Sequence, residues 1–336
     1  MSSLVTTQVS SYLRFHHARV EMWSGRVAAV EIEVRSPAIR ELLDESAELE
    51  LLADTFEFTE GPVWDPAQSY LLFTDIPNNR ICRWAPDGGF STWREPSNYA
   101  NGLTRDTDGR LIAAEHATSR ITRTEPDGSV VSLASHWQGR ELNTPNDVVA
   151  ARSGSVYFTD PMVTRSHARF AGAVREPELD FSGAYRIPAG DGEIELVADD
   201  FQLPNGICLS PDERRLYVND SFAKNVRAYE LRPDGAVGDG RVFVDLDDDG
   251  EGSADGMKTD ERGNLWTTGP GGIWVVSPAG EVLAVLRIPG HMSNLNWGPP
   301  DWSTLYVTGG PTLAGPGSLY RLRTKVRGAP AAYMPA

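Results

Sequence analysis

Residues 60–75 read EGPVWDPAQSYLLFTD and residues 146–160 read NDVVAARSGSVYFTD. In each, a polar residue leads a short apolar run, a turn follows, and a second apolar run ends on Asp. The same plan returns in NGLTRDTDGRLIAAEH from Asn101, NGICLSPDERRLYVND from Asn205, DGMKTDERGNLWTTG from Asp255 and NLNWGPPDWSTLYVTG from Asn294. Copies that start 39 to 59 residues apart mark a repeat architecture. Their runs are of strand length, rich in Val, Ile, Leu, Tyr and Trp, and divided by turn pairs such as Asp108-Gly109 and Pro211-Asp212. Two more strand-like runs follow each copy, as in RITRTEPDGSVVSLAS around Pro126-Asp127-Gly128. Four antiparallel strands, six times over, specify an all-β six-bladed β-propeller.

A ring of blades must close, because an open edge leaves backbone groups unpaired. ELELLAD at 48–54 is placed to join the last blade beside SLYRLRTK at 318–325. The expected organisation is an N-terminal extension at 1–36, a propeller at 37–328 and a tail at 329–336. Nothing in the repeat accounts for the extension, which reads as an extra strand, a flexible arm or an overlong start. Helical periodicity is confined mainly to PAIRELLDES at 37–46, and residues 161–182 read as a long loop over one face.

The chain has 336 residues, a length that all-β propellers reach as one unit. Its 47 Asp and Glu against 31 Lys and Arg give a formal charge of -16, which repels phosphate backbones and anionic lipid. Nucleic acid and membrane partners are therefore not expected, and a small-molecule substrate is. Cys82 and Cys208 sit in apolar runs and read as buried thiols in a reducing, cytoplasmic setting. The N-terminus shows no basic leader with a long apolar run.

Aligning the copies puts Glu60, Asn101, Asn146, Asn205, Asp255 and Asn294 at the entrance to each blade's first strand, where they converge on one mouth of the central channel. Facing carboxylates repel unless a cation neutralises them. Mixed carboxylate and amide oxygens suit one divalent ion, Ca²⁺ first, with Mg²⁺, Mn²⁺ or Zn²⁺ as alternatives. Taken alone, Asn101-Gly102 reads equally well as a turn. Asp245, Asp247 and Asp249 read as a solvated acidic turn, since Gly256 stands where a calcium loop needs its last carboxylate. His16-His17 reads as surface. The Asp ending LFTD and YFTD reads as structural, with Asp220 a candidate to reach the cavity. The sequence contains no G-x-S-x-G, H-E-x-x-H, C-x-x-C or G-x-G-x-x-G.

At these residues the chain resembles the gluconolactonase, regucalcin and luciferin-regenerating family, closest to its bacterial gluconolactonases. TEGPVWDP, LPNGICLSPD and ADGMKTDERGNLW are similar to that family's metal-ligand motifs, and NTPNDVV to the stretch whose Asn contacts metal or substrate. The resemblance implies metal ligands at Glu60, Asn205, Asp255 and Asn146, with Asp147 as a neighbour. It implies a metal-dependent lactonase acting on sugar lactones, in which the ion polarises the carbonyl and activates water. Asp255 is then the expected general base, and Asn146, Asn101, His116, Asp147 and His291 the expected substrate contacts. His116 also reads as a lining histidine. MVTRSHARFAG at 162–172 and His291 depart from the family pattern near the expected mouth. That leaves open a related hydrolase or biosynthetic catalyst for another ester or phosphoester, and a non-catalytic calcium-binding propeller.

Overall fold

A computed structural model describes residues 27–190 and 192–334; His16-His17 lies outside them. Six antiparallel sheets follow one another around an axis as blades one to six. Each begins with an inner strand at the axis, in order Thr59–Asp65, Ala100–Arg105, Val148–Ala150, Pro204–Leu209, Met257–Thr259 and His291–Gly298. The inner strand Thr59–Asp65 and its neighbour Tyr70–Asp75 are buried throughout, while the outer strand Gly89–Arg94 is largely exposed. Burial therefore falls from axis to rim, and the apolar core lies between blades. Between blades five and six, for instance, Trp266, Leu286, Trp297 and Leu305 form one buried cluster, with Trp266 and Trp297 edge to face.

Closure occurs where the sequence places it. Strand Glu48–Phe56 pairs with Gly317–Arg323 in blade six, with Leu49 opposite Leu322 and Leu51 opposite Tyr320. The described part of the extension adds two more strands. Val27–Ala29 extends blade six, pairing with Glu48–Phe56, and Glu31–Val34 extends blade five, pairing with Val282–Arg287. The short helix reduces to one 3-10 turn, Pro37–Glu41. It is pinned between blades: the amides of Arg35 and Ser36 bond to Leu283, and the Lys325 amide bonds to Leu42.

The tail crosses the channel mouth opposite the candidate site. The Ala329 amide bonds to Thr259, Arg152 Nη2 to the Pro330 carbonyl at 2.7 Å, and Tyr333 packs against the cluster holding Val63, Tyr70 and Leu103. Both cysteines are buried and free. No helix among the described residues is long and apolar enough to cross a membrane.

Because Leu49 is wholly buried at the closure, Leu49→Ala should lower the unfolding free energy by about 2–4 kcal/mol in denaturant titration. A loss below about 1 kcal/mol would mean that this strand is not part of the cooperative unit.

Candidate functional site

Polar residues at the blade entrances are held by a repeated inter-blade hydrogen bond. In blades one, three and four, the residue before the Asp that ends the second run reaches the next blade's entrance carbonyl. Thr74 Oγ1 donates to Asn101 O at 3.1 Å, Thr159 Oγ1 to Asn205 O at 2.6 Å, and Asn219 Nδ2 to Asp255 O. Ser293 Oγ donates to Thr59 O at 2.6 Å, beside Glu60. At these four places one blade fixes the backbone at its neighbour's entrance.

The glycines after these residues answer to crowding at the axis. A Cβ on Gly256 would run into the Asn294 side chain, on Gly206 into the Asp255 carbonyl, and on Gly102 into Asp147. Asn101-Gly102 lies within a strand, so its glycine serves close approach between strands, not a turn. Register also corrects the sixth copy. Asn294 stands opposite Thr308, as Asp147 does opposite Thr159, so Ser293 holds the entrance position and Asn294 lies one residue deeper. An irregularity between Met292 and Asn294 absorbs the shift. In blade two, Glu115 takes the place of Asp75: each accepts from an arginine five residues on, Arg120 and Arg80. His116 is then the residue beyond.

Glu60, Asn205 and Asp255 come together from blades one, four and five. The Asp255 carboxyl meets both the Glu60 carboxyl and the Asn205 amide. Glu60 Oε2 accepts from Asn294 Nδ2 at 2.9 Å and from the Gly61 amide. Burial, then the nearby Asp255 and Asp147 carboxylates, push the Glu60 carboxyl well above its usual range. Burial and Asp147 do the same to Asp255. Asn205 Nδ2 donates to Ser221 Oγ at 3.1 Å, while its Oδ1 is buried without a hydrogen-bond partner. Two carboxylates pressed together beside an orphaned amide oxygen make a donor set that fits a hard divalent cation. Asn146 is half-buried at the same ring, its carbonyl accepting from the Gly102 amide at 2.8 Å.

The remaining expected residues divide. His291 Nε2 lies 3.0 Å from Asp255 Oδ2. Asn101 Nδ2 lies 3.3 Å from His116 Nε2, and Asn101 Oδ1 is buried and unpartnered. His116 Nδ1 faces the Phe170 carbonyl at 3.1 Å. A carbonyl only accepts, so Nδ1 carries the proton and neutral His116 accepts from Asn101 at Nε2. Burial pushes both His116 and His291 down to about 4. Asp147 is buried among backbone donors, with Oδ1 taking the Val148 amide and Oδ2 the Ile207 amide. Asp220 serves the backbone: its oxygens accept the amides of Gln202, Leu203, Phe222 and Ala223. The acidic turn stays a turn, with Asp248 taking the Gly250 amide and Arg287.

The segment 161–182 roofs this mouth. Its two helical turns, Val163–Ser166 and Ala168–Ala171, carry Phe170 onto Phe58, ring centroids 5.2 Å apart and edge to face. Phe58 in turn lies 5.9 Å from His291. Arg169 reaches the carbonyls of Leu313 and Ala314, both at 3.1 Å, across the mouth in blade six. Buried Arg165 and half-exposed Arg175 share Glu141. Phe58, Phe170, Arg169 and Ser221 belong to the site and were not singled out from the sequence. For Arg169 and Phe170 the available signals were the length of the 161–182 gap and the departure of MVTRSHARFAG from the family pattern.

Residues 58–310 match the SMP-30/gluconolactonase/LRE-like region. The gluconolactonase of Zymomonas mobilis is 32% identical over 316 residues, covering 87% of this chain and 86% of its own. The pentonolactonase of Haloferax volcanii is 29% identical over 257 residues, covering 74% and 80%. The solved structure of a gluconolactonase from Xanthomonas campestris superposes with a TM-score of 0.80 at 30% identity, over 90% of this chain and 99% of that one.

If the roof encloses His116 as described, its ring should titrate near pH 4 when followed by NMR in ¹³C-histidine-labelled protein. A midpoint near 6.5 would show an open, hydrated imidazole.

Proposed function

Since the chain belongs to the SMP-30/gluconolactonase/LRE-like family, we propose that it hydrolyses a sugar lactone, an aldonolactone, to the hydroxy acid at this axial cluster. Glu60, Asn205 and Asp255, with Asn146, would hold one divalent cation there, calcium first. The observation that carries this reading is the meeting of two buried carboxylates from different blades beside Asn205 Oδ1, which has no partner of its own. The names of the Zymomonas, Haloferax and Xanthomonas proteins support the lactone as substrate class. Buried free thiols suit a reducing compartment.

When bound, a divalent cation polarises a carbonyl oxygen and makes water more acidic. The protein's own groups do the rest. Asp255 takes a proton from the water that adds to the lactone carbonyl, and returns it to the ring oxygen as the ring C–O bond breaks. His291, neutral at working pH, donates Nε2–H to Asp255 Oδ2 and holds the carboxylate in place. The Asn146 amide donates toward the oxygen on which charge develops. Asn101 Oδ1 accepts from a sugar hydroxyl, its amide fixed by His116. Phe58 and Phe170 close the wet side, so reaction occurs away from bulk water.

Assay of a panel of sugar lactones with and without chelator tests the reading. Hydrolysis should vanish on chelation and return with one of Ca²⁺, Mg²⁺, Mn²⁺ or Zn²⁺. Chelator-resistant hydrolysis would overturn the cation's part, and turnover of other esters alone would overturn the substrate class. Binding of calcium without any turnover would make this a non-catalytic calcium binder. Asp255→Asn should cost a factor of about a hundred or more in kcat with an unchanged circular dichroism spectrum, and near-normal turnover would reject Asp255 as base.

The two carboxyls also set a pH dependence. Their metal-free pKa values are raised above the unfolded ones, so their contribution to stability is complete below the unfolded pKa and lost as pH rises through the folded one. The two histidines, depressed to about 4, act in the opposite sense: their contribution is present above about 6.5 and lost as pH falls toward 4. Added cation offsets only the carboxylate repulsion. The calcium-induced rise in Tm should therefore be larger at pH 7.5 than at pH 5, and a rise that shrinks with pH would contradict the assignment.

A further inference from the structure

One cation-bearing side chain stands beneath the cluster and has no part in the chemistry above. Lys258 Nζ lies 4.0 Å from Asp147 Oδ2 and 3.5 Å from Asn294 Oδ1, and donates to the Met257 carbonyl at 3.0 Å. Its side chain is 19% exposed against 3% for Asp147. Asp147 and Asn294 are the two ring positions where the other blades have glycine. There they fill the axis just below the entrance residues. Asn294 is itself bonded to Glu60, so a continuous polar chain runs from the Lys258 ammonium through Asn294 to the candidate ligand.

The charge count gives this arrangement its meaning. Asp147 acts electrostatically on both Glu60 and Asp255, so three carboxylates share one buried neighbourhood. Lys258 is the lone ammonium among the described side chains paired with any of the three. Resting on the cation reading above, we propose that Lys258 is a positioning residue that cancels Asp147. The centre is left with two negative charges, matched to a divalent ion. Asn294 Oδ1 takes the Leu295 amide at 2.8 Å, which leaves Nδ2 facing Glu60 Oε2, and the Lys258 ammonium adds its charge to that same oxygen at 3.5 Å. Asp147 is thereby free to brace the axis, accepting from Val148 and Ile207, without overloading the site with charge.

The test compares Ca²⁺ and Tb³⁺ affinities of the full chain by calorimetry and by terbium luminescence. Lys258→Met adds one uncancelled negative charge near the ion, which favours the trivalent ion more than the divalent one. The Tb³⁺-to-Ca²⁺ affinity ratio should rise about tenfold or more, as one unit charge several Å away gives at an effective permittivity near 20. Asp147→Asn should move the ratio the other way, and Lys258→Arg should leave it near wild type. The pair Lys258→Met with Asp147→Asn should restore it. A ratio unchanged in both single variants would overturn the countercharge. Wild-type protein that binds neither ion would instead overturn the underlying cation reading, so the two failures are distinguishable.

Discussion

Glu60 and Asp255 are two acidic groups held against one another where water cannot screen them, and the architecture around them keeps them there. Each carboxyl is pushed toward its neutral form by burial first and by its acidic neighbours second. Left to a flexible chain, such groups would separate into solvent, where the interaction falls to about 1 kcal/mol at 4 Å. Here they are borne on strands of different blades and cannot move apart without opening the ring.

What keeps the ring shut is distributed. Strand Glu48–Phe56 completes blade six, and Glu31–Val34 ties the N-terminal segment to blade five. Between blades, Thr74, Thr159, Asn219 and Ser293 bond across to neighbouring entrance backbone. The glycines at 61, 102, 206 and 256 let six inner strands approach so closely that an added methyl would meet backbone or side chain. Close approach places the entrance side chains within reach of a single centre. The opposite mouth is covered by the tail, so the polar cluster opens toward the roofed side alone.

Much of this was legible in the sequence because a propeller repeats its register. Six similar copies fix blade number and bring Glu60, Asn205 and Asp255 to corresponding positions, whatever lies between them. Closure by ELELLAD followed from its strand pattern and its place before the first copy. Local irregularity marked the limit. The kink near Met292 displaced Asn294 by one residue, and because copies end 14 or 15 residues after they start, Glu115 and His116 were both placed to match Asp75. The roof could be expected over one face, but Phe170 meeting His116 and Phe58, or Arg169 crossing to Leu313, depends on contacts between distant segments that no periodicity encodes. Lys258 was hidden for the same reason: its partners lie on blades three and six.

Where a cation sits decides whether the axial cluster is a metal centre. A crystal soaked in Mn²⁺ and measured at the manganese absorption edge would show one strong anomalous peak on the axis. Oxygens of Glu60, Asn205 and Asp255 should lie within about 2.0–2.6 Å of it. An axis without a peak at saturating metal, or a peak bound elsewhere while these three side chains keep their metal-free contacts, would contradict that assignment.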